Sequence, residues 1–167
     1  MKILNFIFLF SVSTVTIFSC IDNSNSLNKN TIEKKKQSSI DSQLKKAESQ
    51  LSLLLNEANK VNKIPRTINE EGKIQWVDEN FDWTEGFFPG SCWYLYEFSK
   101  NDTWKIAAEK YQSKYEYHKF NTHNHDLGFI FNCSYGNGYR LTKNEAFKEV
   151  MITAADSLSK RFNPNVG

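Results

Sequence analysis

Pro89-Gly90-Ser91-Cys92-Trp93-Tyr94-Leu95-Tyr96-Glu97-Phe98-Ser99 is the stretch that decides the fold. It opens with a proline, which a helix accepts only in its first turn. Trp93, Tyr94, Leu95, Tyr96 and Phe98 then spread round the helix surface. A helix apolar on nearly every side must be buried on nearly every side. Its neighbours have another pattern. From about Ser39 to Val61, Ile40, Leu44, Ala47, Leu51, Leu54, Leu55, Ala58 and Val61 recur at three- and four-residue steps, with Lys, Glu, Gln and Ser opposite. That spacing predicts a helix with one wet side. Asn101-Asp102 caps another such helix, Thr103 to about Lys119, with Trp104, Ala107, Ala108, Tyr111 and Tyr115 as its stripe. Leu127 to Cys133 is a second dry segment, short and almost wholly apolar. Ser134 to Tyr139 reads as a loop whose glycines serve a turn. Thr142-Lys143-Asn144-Glu145 reads as a capping box. It opens a last amphipathic helix carrying Phe147, Val150, Met151, Ala154 and Leu158, which stops before Asn163-Pro164.

The order is wet, dry, wet, dry, wet. Half-wet and dry helices that alternate through loops predict an all-α, double-layered toroid, with the dry helices inside. A closed ring of six hairpins needs roughly twelve helices, and five are read here. The chain is therefore expected to be the front portion of a larger domain. Asn62 to Asp82, with Pro65 and Gly72, reads as a connector holding a brief extended piece around Lys73 to Val77.

The first twenty residues read as a targeting segment. Lys2 gives a positive start, Ile3 to Phe18 is apolar, and Ser19 directly precedes Cys20. This resembles a bacterial lipoprotein signal and implies lipidation at Cys20. An ordinary signal peptide or an uncleaved anchor is the alternative. Residues 21–38, rich in Asn, Ser and Lys, are expected to form a flexible tether, and 39–167 the folded domain. The expected location is the cell envelope of a bacterium, touching the membrane only through a lipid. Cys92 and Cys133 lie in apolar helical runs, so two free thiols are expected. Two cysteines without a second pair make no zinc site. The net charge of +2 over 167 residues, with no long basic block, gives no sign of nucleic-acid binding. Aromatic residues reach 14% of the chain and cluster between Trp76 and Tyr139. They supply either a large core or a surface on which flat and ring-shaped ligands stack.

Asn124-His125-Asp126-Leu127-Gly128-Phe129 carries the chemistry. Here a histidine and a carboxylate adjoin at the start of an apolar helix. A carboxylate at a helix N-terminus meets free N–H groups and the positive end of the macrodipole. It tends to stay ionised, which suits a base or a charge stabiliser. The plainer alternative is that Asp126 only caps the helix and His125 is a turn residue.

Three motifs in order then match a known pattern. They are Asp82-Trp83-Thr84-Glu85-Gly86-Phe87-Phe88-Pro89-Gly90, His125-Asp126-Leu127-Gly128-Phe129 and Cys133-Ser134-Tyr135-Gly136-Asn137-Gly138-Tyr139-Arg140-Leu141-Thr142. From about Pro65 to Gly167 the chain resembles glycoside hydrolase family 88, the unsaturated glucuronyl hydrolases. The resemblance implies an (α/α)6 barrel. It implies removal of a 4,5-unsaturated uronic acid from the non-reducing end of lyase-generated oligosaccharides by hydration of a vinyl ether. It places a catalytic aspartate at Asp126, a substrate contact at His125 and a wall of the sugar subsite at Trp83. It implies no cofactor and no metal. The family's proton-donating second aspartate heads the next inner helix and maps onto no residue here, so the chain by itself is expected to be inactive. Half a ring is also expected to leave Trp93, Tyr96 and Phe129 facing water. Two alternatives stay open: a non-catalytic, lipid-anchored glycan-binding protein, and a family 105 unsaturated rhamnogalacturonyl hydrolase on the same barrel.

One expectation needs no family. The two dry helices are separated by one outward helix and so run in the same direction. Trp83 precedes the first and His125-Asp126 the second, which places all three on one rim.

Overall fold

The structure is a computed structural model, and it describes residues 23–78 and 80–165. The targeting segment and Cys20 lie outside the described residues. The chain divides into two units, 1–40 and 41–167, a boundary two residues from the expected one. Helix α1, Asn23–Val61, begins well before Ser39. Residues 23–38, expected as a tether, are helical. No Gly or Pro interrupts the chain between Asn23 and Val61, and Lys, Gln, Glu and Leu all favour a helix. Among the described residues no helix is long and apolar enough to cross a membrane.

The second unit holds the fold. The connector forms a small antiparallel hairpin, β1 (Pro65–Ile68) with β2 (Ile74–Trp76), pairing Pro65 with Trp76 and Ile68 with Ile74. Its turn is closed by Asn69, whose side chain accepts from the N–H groups of Glu71 and Lys73. Gly72 takes the φ of +76° that the turn requires. The expected extended piece is β2. Its partner β1 went unread.

Helix α2 spans Phe87–Ser99 and buries Phe88, Pro89, Gly90, Cys92, Trp93 and Leu95. Helix α3, Asp102–Gln112, is capped by Asn101, whose side chain accepts from Thr103 N. It tightens into a 3-10 stretch over Ser113–Phe120. Helix α4, Leu127–Phe131, continues without a break through a widened π turn, Asn132–Gly136, into α5, Asn137–Thr142. The loop expected over Ser134 to Tyr139 is therefore helix. Its glycines serve close packing rather than a turn: a Cβ on Gly138 would lie 3.0 Å from the rings of Trp93 and Phe147. Helix α6, Glu145–Ser159, takes its cap from Asn144, which accepts from Ala146 N. The expected capping box is thus not formed. Thr142 Oγ1 instead donates to Gly138 O and accepts from Asn144 N.

These pieces make five helical rods, as the periodicity predicted: α1, α2, α3 with its 3-10 extension, α4 through α5, and α6. One core joins them, with Trp93, Tyr111, Tyr115, Phe131 and Tyr135 fully buried. Trp93, expected to face water, is covered by Phe147 and donates its indole N–H to Gln112 Oε1 at 2.9 Å. Phe129 does face water, at 55% exposure. Cys92 and Cys133 are free thiols, and burial pushes Cys92 up to about 12.

Candidate active site

The two dry rods are in contact along their length, and the glycines set how closely. A Cβ on Gly86 would stand 2.3 Å from the carbonyl oxygen of Ile130, and one on Gly90 would stand 2.7 Å from that of Cys133. Further along, Gly138 meets Trp93. Contacts that advance together, 86 with 130, 90 with 133 and 93 with 138, mean that the rods run parallel. Their N-terminal ends share one rim. The Asp82–Gly86 turn and the Asn124–Asp126 turn stand there side by side, as the direction argument predicted for Trp83, His125 and Asp126.

Each turn has its own construction. Asp82 Oδ1 accepts from Thr84 N at 2.9 Å and from Thr84 Oγ1 at 2.7 Å, while Oδ2 accepts from Arg66 Nε at 2.5 Å. Partial burial pushes the Asp82 carboxyl upward, but the Thr84 hydrogen bonds and the Arg66 guanidinium outweigh it and hold it below the usual range. Trp83 stands at the crest, 46% exposed, with its indole edge-on to Phe87 at 5.7 Å. An indole offered this way is a flat apolar wall.

In the second turn Asn124 Oδ1 accepts from Asp126 N at 2.8 Å. The Asp126 carbonyl accepts from Phe129 N and Ile130 N, which starts α4. The Asp126 side chain makes no capping hydrogen bond. The plainer reading, in which its carboxyl is a cap and nothing more, is therefore not what this turn does. Its partner is His125, Nε2 to Oδ1 at 3.2 Å. The His125 side chain is 78% exposed and that of Asp126 20%, so the pair is reachable from solvent on the imidazole side. The turn is tied from behind by Arg161, which donates to the His123 carbonyl.

A carboxyl at a helix start, an imidazole beside it and an exposed indole on the neighbouring turn make up the rim's chemical set. A cavity of about 1160 Å³ lies elsewhere, lined by Leu51, Leu54, Ile68, Ile74 and Tyr94. That cavity is mostly apolar and holds none of the three residues. The polar rim is the better candidate. Among the described residues no three His, Cys, Asp or Glu side chains gather to hold a metal.

The sequence reading missed one buried pair behind the rim. Glu85, two residues after Trp83, is 2% exposed, and its Oε1 lies 3.6 Å from His118 Nε2 on the 3-10 stretch. Burial, and then the charge of Asp82, push Glu85 up to about 8, and burial lowers His118. A glutamate inside an aromatic-rich turn, ahead of a dry helix, was the one available signal.

No protein-family model matches the chain. Individual proteins do. The chain is 31% identical over 134 residues to an unsaturated glucuronyl hydrolase of Formosa agariphila, covering 80% of this chain and 34% of that protein. It is 28% identical over 101 residues to an unsaturated glucuronyl hydrolase of a Bacillus species, covering 58% and 27%. Among solved structures, an unsaturated glucuronyl hydrolase specific for heparin superposes with a TM-score of 0.63 at 33% identity, over 72% of this chain and 33% of that one. The chain thus spans about a third of the length of the relatives it matches. The five rods are part of the all-α (α/α)6 toroid of these proteins. By sequence and by fold, the chain is similar to the unsaturated glucuronyl hydrolases along about a third of their length.

Proposed function

We propose that this chain is the front portion of an enzyme that removes a 4,5-unsaturated uronic acid from the non-reducing end of lyase-generated oligosaccharides. The observation that carries the reading is the shared rim, where an uncapped Asp126, its His125 partner and the exposed Trp83 stand at the starts of two parallel helices. The relatives' names fit it. They are unsaturated glucuronyl and unsaturated chondroitin disaccharide hydrolases, and one related structure was solved with the disaccharide dGlcA-GalNAc6S.

The chemistry follows from the substrate. Its C4=C5 bond adjoins the ring oxygen, so a proton delivered to C4 leaves a cation at C5 that this oxygen stabilises. Water then adds to C5 and loses a proton. The resulting hemiketal opens and releases the rest of the saccharide. Asp126 assists the attacking water or stabilises the developing cation. His125 contacts the sugar, and Trp83 forms the wall against which the ring lies.

Asp126→Asn in the complete enzyme tests this. Turnover, followed as loss of the conjugated uronate's ultraviolet absorbance, should fall about 10²-fold or more. Near wild-type turnover would remove Asp126 from the chemistry.

The envelope location is a second part of the proposal, supported by the Ser19-Cys20 end of the apolar leader. A fatty-acid analogue fed to cells should label the wild-type chain and not Cys20→Ala. Equal labelling of the two ends the lipoprotein reading.

A further inference from the structure

We infer that Glu85 and His118 are a positioning pair for Trp83, with one buried proton held between carboxyl and imidazole fixing where the indole wall stands. The inference rests on the reading of Trp83 as that wall.

The geometry is a clamp. Phe81 and Glu85 lie two residues to either side of Trp83, and both grip the same imidazole. The Phe81 ring meets His118 edge-on at 5.2 Å, and the Glu85 carboxyl stands 3.6 Å from its Nε2. Tyr117 lies against the same imidazole at 4.1 Å. Trp83 sits at the top of the arch so formed. Whatever moves Glu85 relative to His118 moves the indole.

The two facing atoms need each other. Glu85 Oε1 and His118 Nε2 are both buried and neither has a hydrogen-bond partner. At 3.6 Å they stand slightly beyond hydrogen-bond reach. A shift of about half an ångström closes the gap once a proton lies between them. When the imidazole carries its own proton on Nδ1 and none lies between the two atoms, the pair leaves a buried carboxylate opposite a lone pair, beside the Asp82 charge. With two, it leaves an imidazolium facing a neutral acid. Both arrangements bury an uncompensated charge. One proton satisfies both atoms, whether written on the acid or on the imidazole.

Other titratable groups face the pair. Asp82 lies on the same turn, Tyr115 and Lys114 on the 3-10 stretch, and Asp78 and Lys63 on the connector. All but Asp82 line with Glu85 a cavity of about 570 Å³. Asp82 is already bound to Thr84 and Arg66, and the Tyr115 hydroxyl, held well above its ordinary range by burial, stays neutral. The proton is therefore lost on the alkaline side. Glu85 is raised above its ordinary 4.5, so its contribution to stability is complete below that value and is lost as pH rises through about 8. His118 is lowered, so its contribution is complete above its ordinary 6.5 and is lost as pH falls through its lowered value. The clamp is closed around neutral pH and opens above it.

Fluorine NMR of the full 167-residue chain labelled with 5-fluorotryptophan tests the pair, with the Trp83 signal assigned by Trp83→Phe. The Trp83 resonance should move with a midpoint near pH 8 while that of buried Trp93 stays still. Glu85→Gln donates to His118 through its amide as the acid does. It should keep the neutral-pH position of the Trp83 signal and abolish its movement. A Trp83 signal flat from about pH 6 to 9.5 in the wild type, or an unchanged midpoint in Glu85→Gln, overturns the inference. Should that variant not fold, the His118 ring protons of the wild type decide. They must move at the same midpoint as Trp83, and a different midpoint also overturns it. Adding an unsaturated uronyl disaccharide to the complete enzyme at neutral pH tests the wall separately. A Trp83 signal that titrates but ignores the sugar removes the subsite and leaves the clamp. One that senses the sugar but does not titrate removes the clamp alone.

Discussion

Two aspartates stand at matching levels of two parallel helices, four residues before Gly86 and four before Ile130, and they are used differently. Asp82 accepts three hydrogen bonds, two from Thr84 and one from Arg66. Asp126 makes no capping bond and pairs with the exposed His125. Composition and position hardly distinguish them: each is an aspartate in a polar turn ahead of a dry helix. What distinguishes them is spare acceptor capacity. A carboxyl whose oxygens are already taken holds its turn together, while one whose oxygens are open at a rim can meet a ligand.

The comparison can be broken most directly at Asp126. The expected loss of about 10² in turnover, roughly 3 kcal/mol of barrier, should come with almost no change in the melt of the same Asp126→Asn variant, because no cap is lost. A melt that falls with the activity would make Asp126 a second Asp82. Gly86→Ala attacks the contact that sets the two turns level. The new methyl would overlap the Ile130 backbone, which cannot swing aside as a side chain can. A destabilisation of about 3 kcal/mol is expected in urea unfolding. A neutral result would mean that the rods are not in register. Asp82→Ala should cost about 2 kcal/mol by the same assay, through the lost turn bonds and the unpaired Arg66. Because its folded carboxyl is held low, that contribution should be present above the ordinary 3.8 and disappear as pH falls through the lowered value. The smallest effect is expected at the far end of the rods, where Arg140 of α5 makes a two-pronged bond to Glu97 of α2 at 2.6 Å on both arms. Both side chains are over 40% exposed. Glu97→Gln should change stability by less than about 1 kcal/mol, and more would show that the pair helps hold the two dry rods together.

The layers were legible because they are written in apolar spacing. Ala107, Ala108 and Tyr111 repeat at helical steps, as do Val150 and Ala154, and each set is buried in its helix. The shared rim followed from direction alone. What failed was punctuation. Gly136 and Gly138 read as a turn because glycine usually marks one. Here Trp93 and Phe147 from other rods occupy the space a Gly138 side chain would need, and Asn132 and Met151 crowd Gly136; no local pattern reports a distant ring. Strand β1 was missed because Arg66, Thr67 and Ile68 are all exposed, so no alternation exists to be read. Glu85 and His118 escaped for the opposite reason. A charged residue next to polar neighbours reads as solvated, and only the folded chain shows a glutamate at 2% exposure facing an imidazole.

The widened turn at Asn132–Gly136 has a consequence for the phase of the rod that contains it. An α-helix advances about 100° per residue, and a π turn takes up one residue more than an α turn before the spiral resumes. Everything after Gly136 is therefore rotated by about one residue step relative to a plain continuation of α4. That offset lets Ile130, in front of the turn, and Gly138, behind it, both face α2. Removing a single residue from Asn132–Gly136 would let the rod close into a plain α-helix and, one residue shorter, would still bring Gly138 round to Trp93. Straightening the turn at full length, by contrast, would be in effect a rotation of α5 relative to α2.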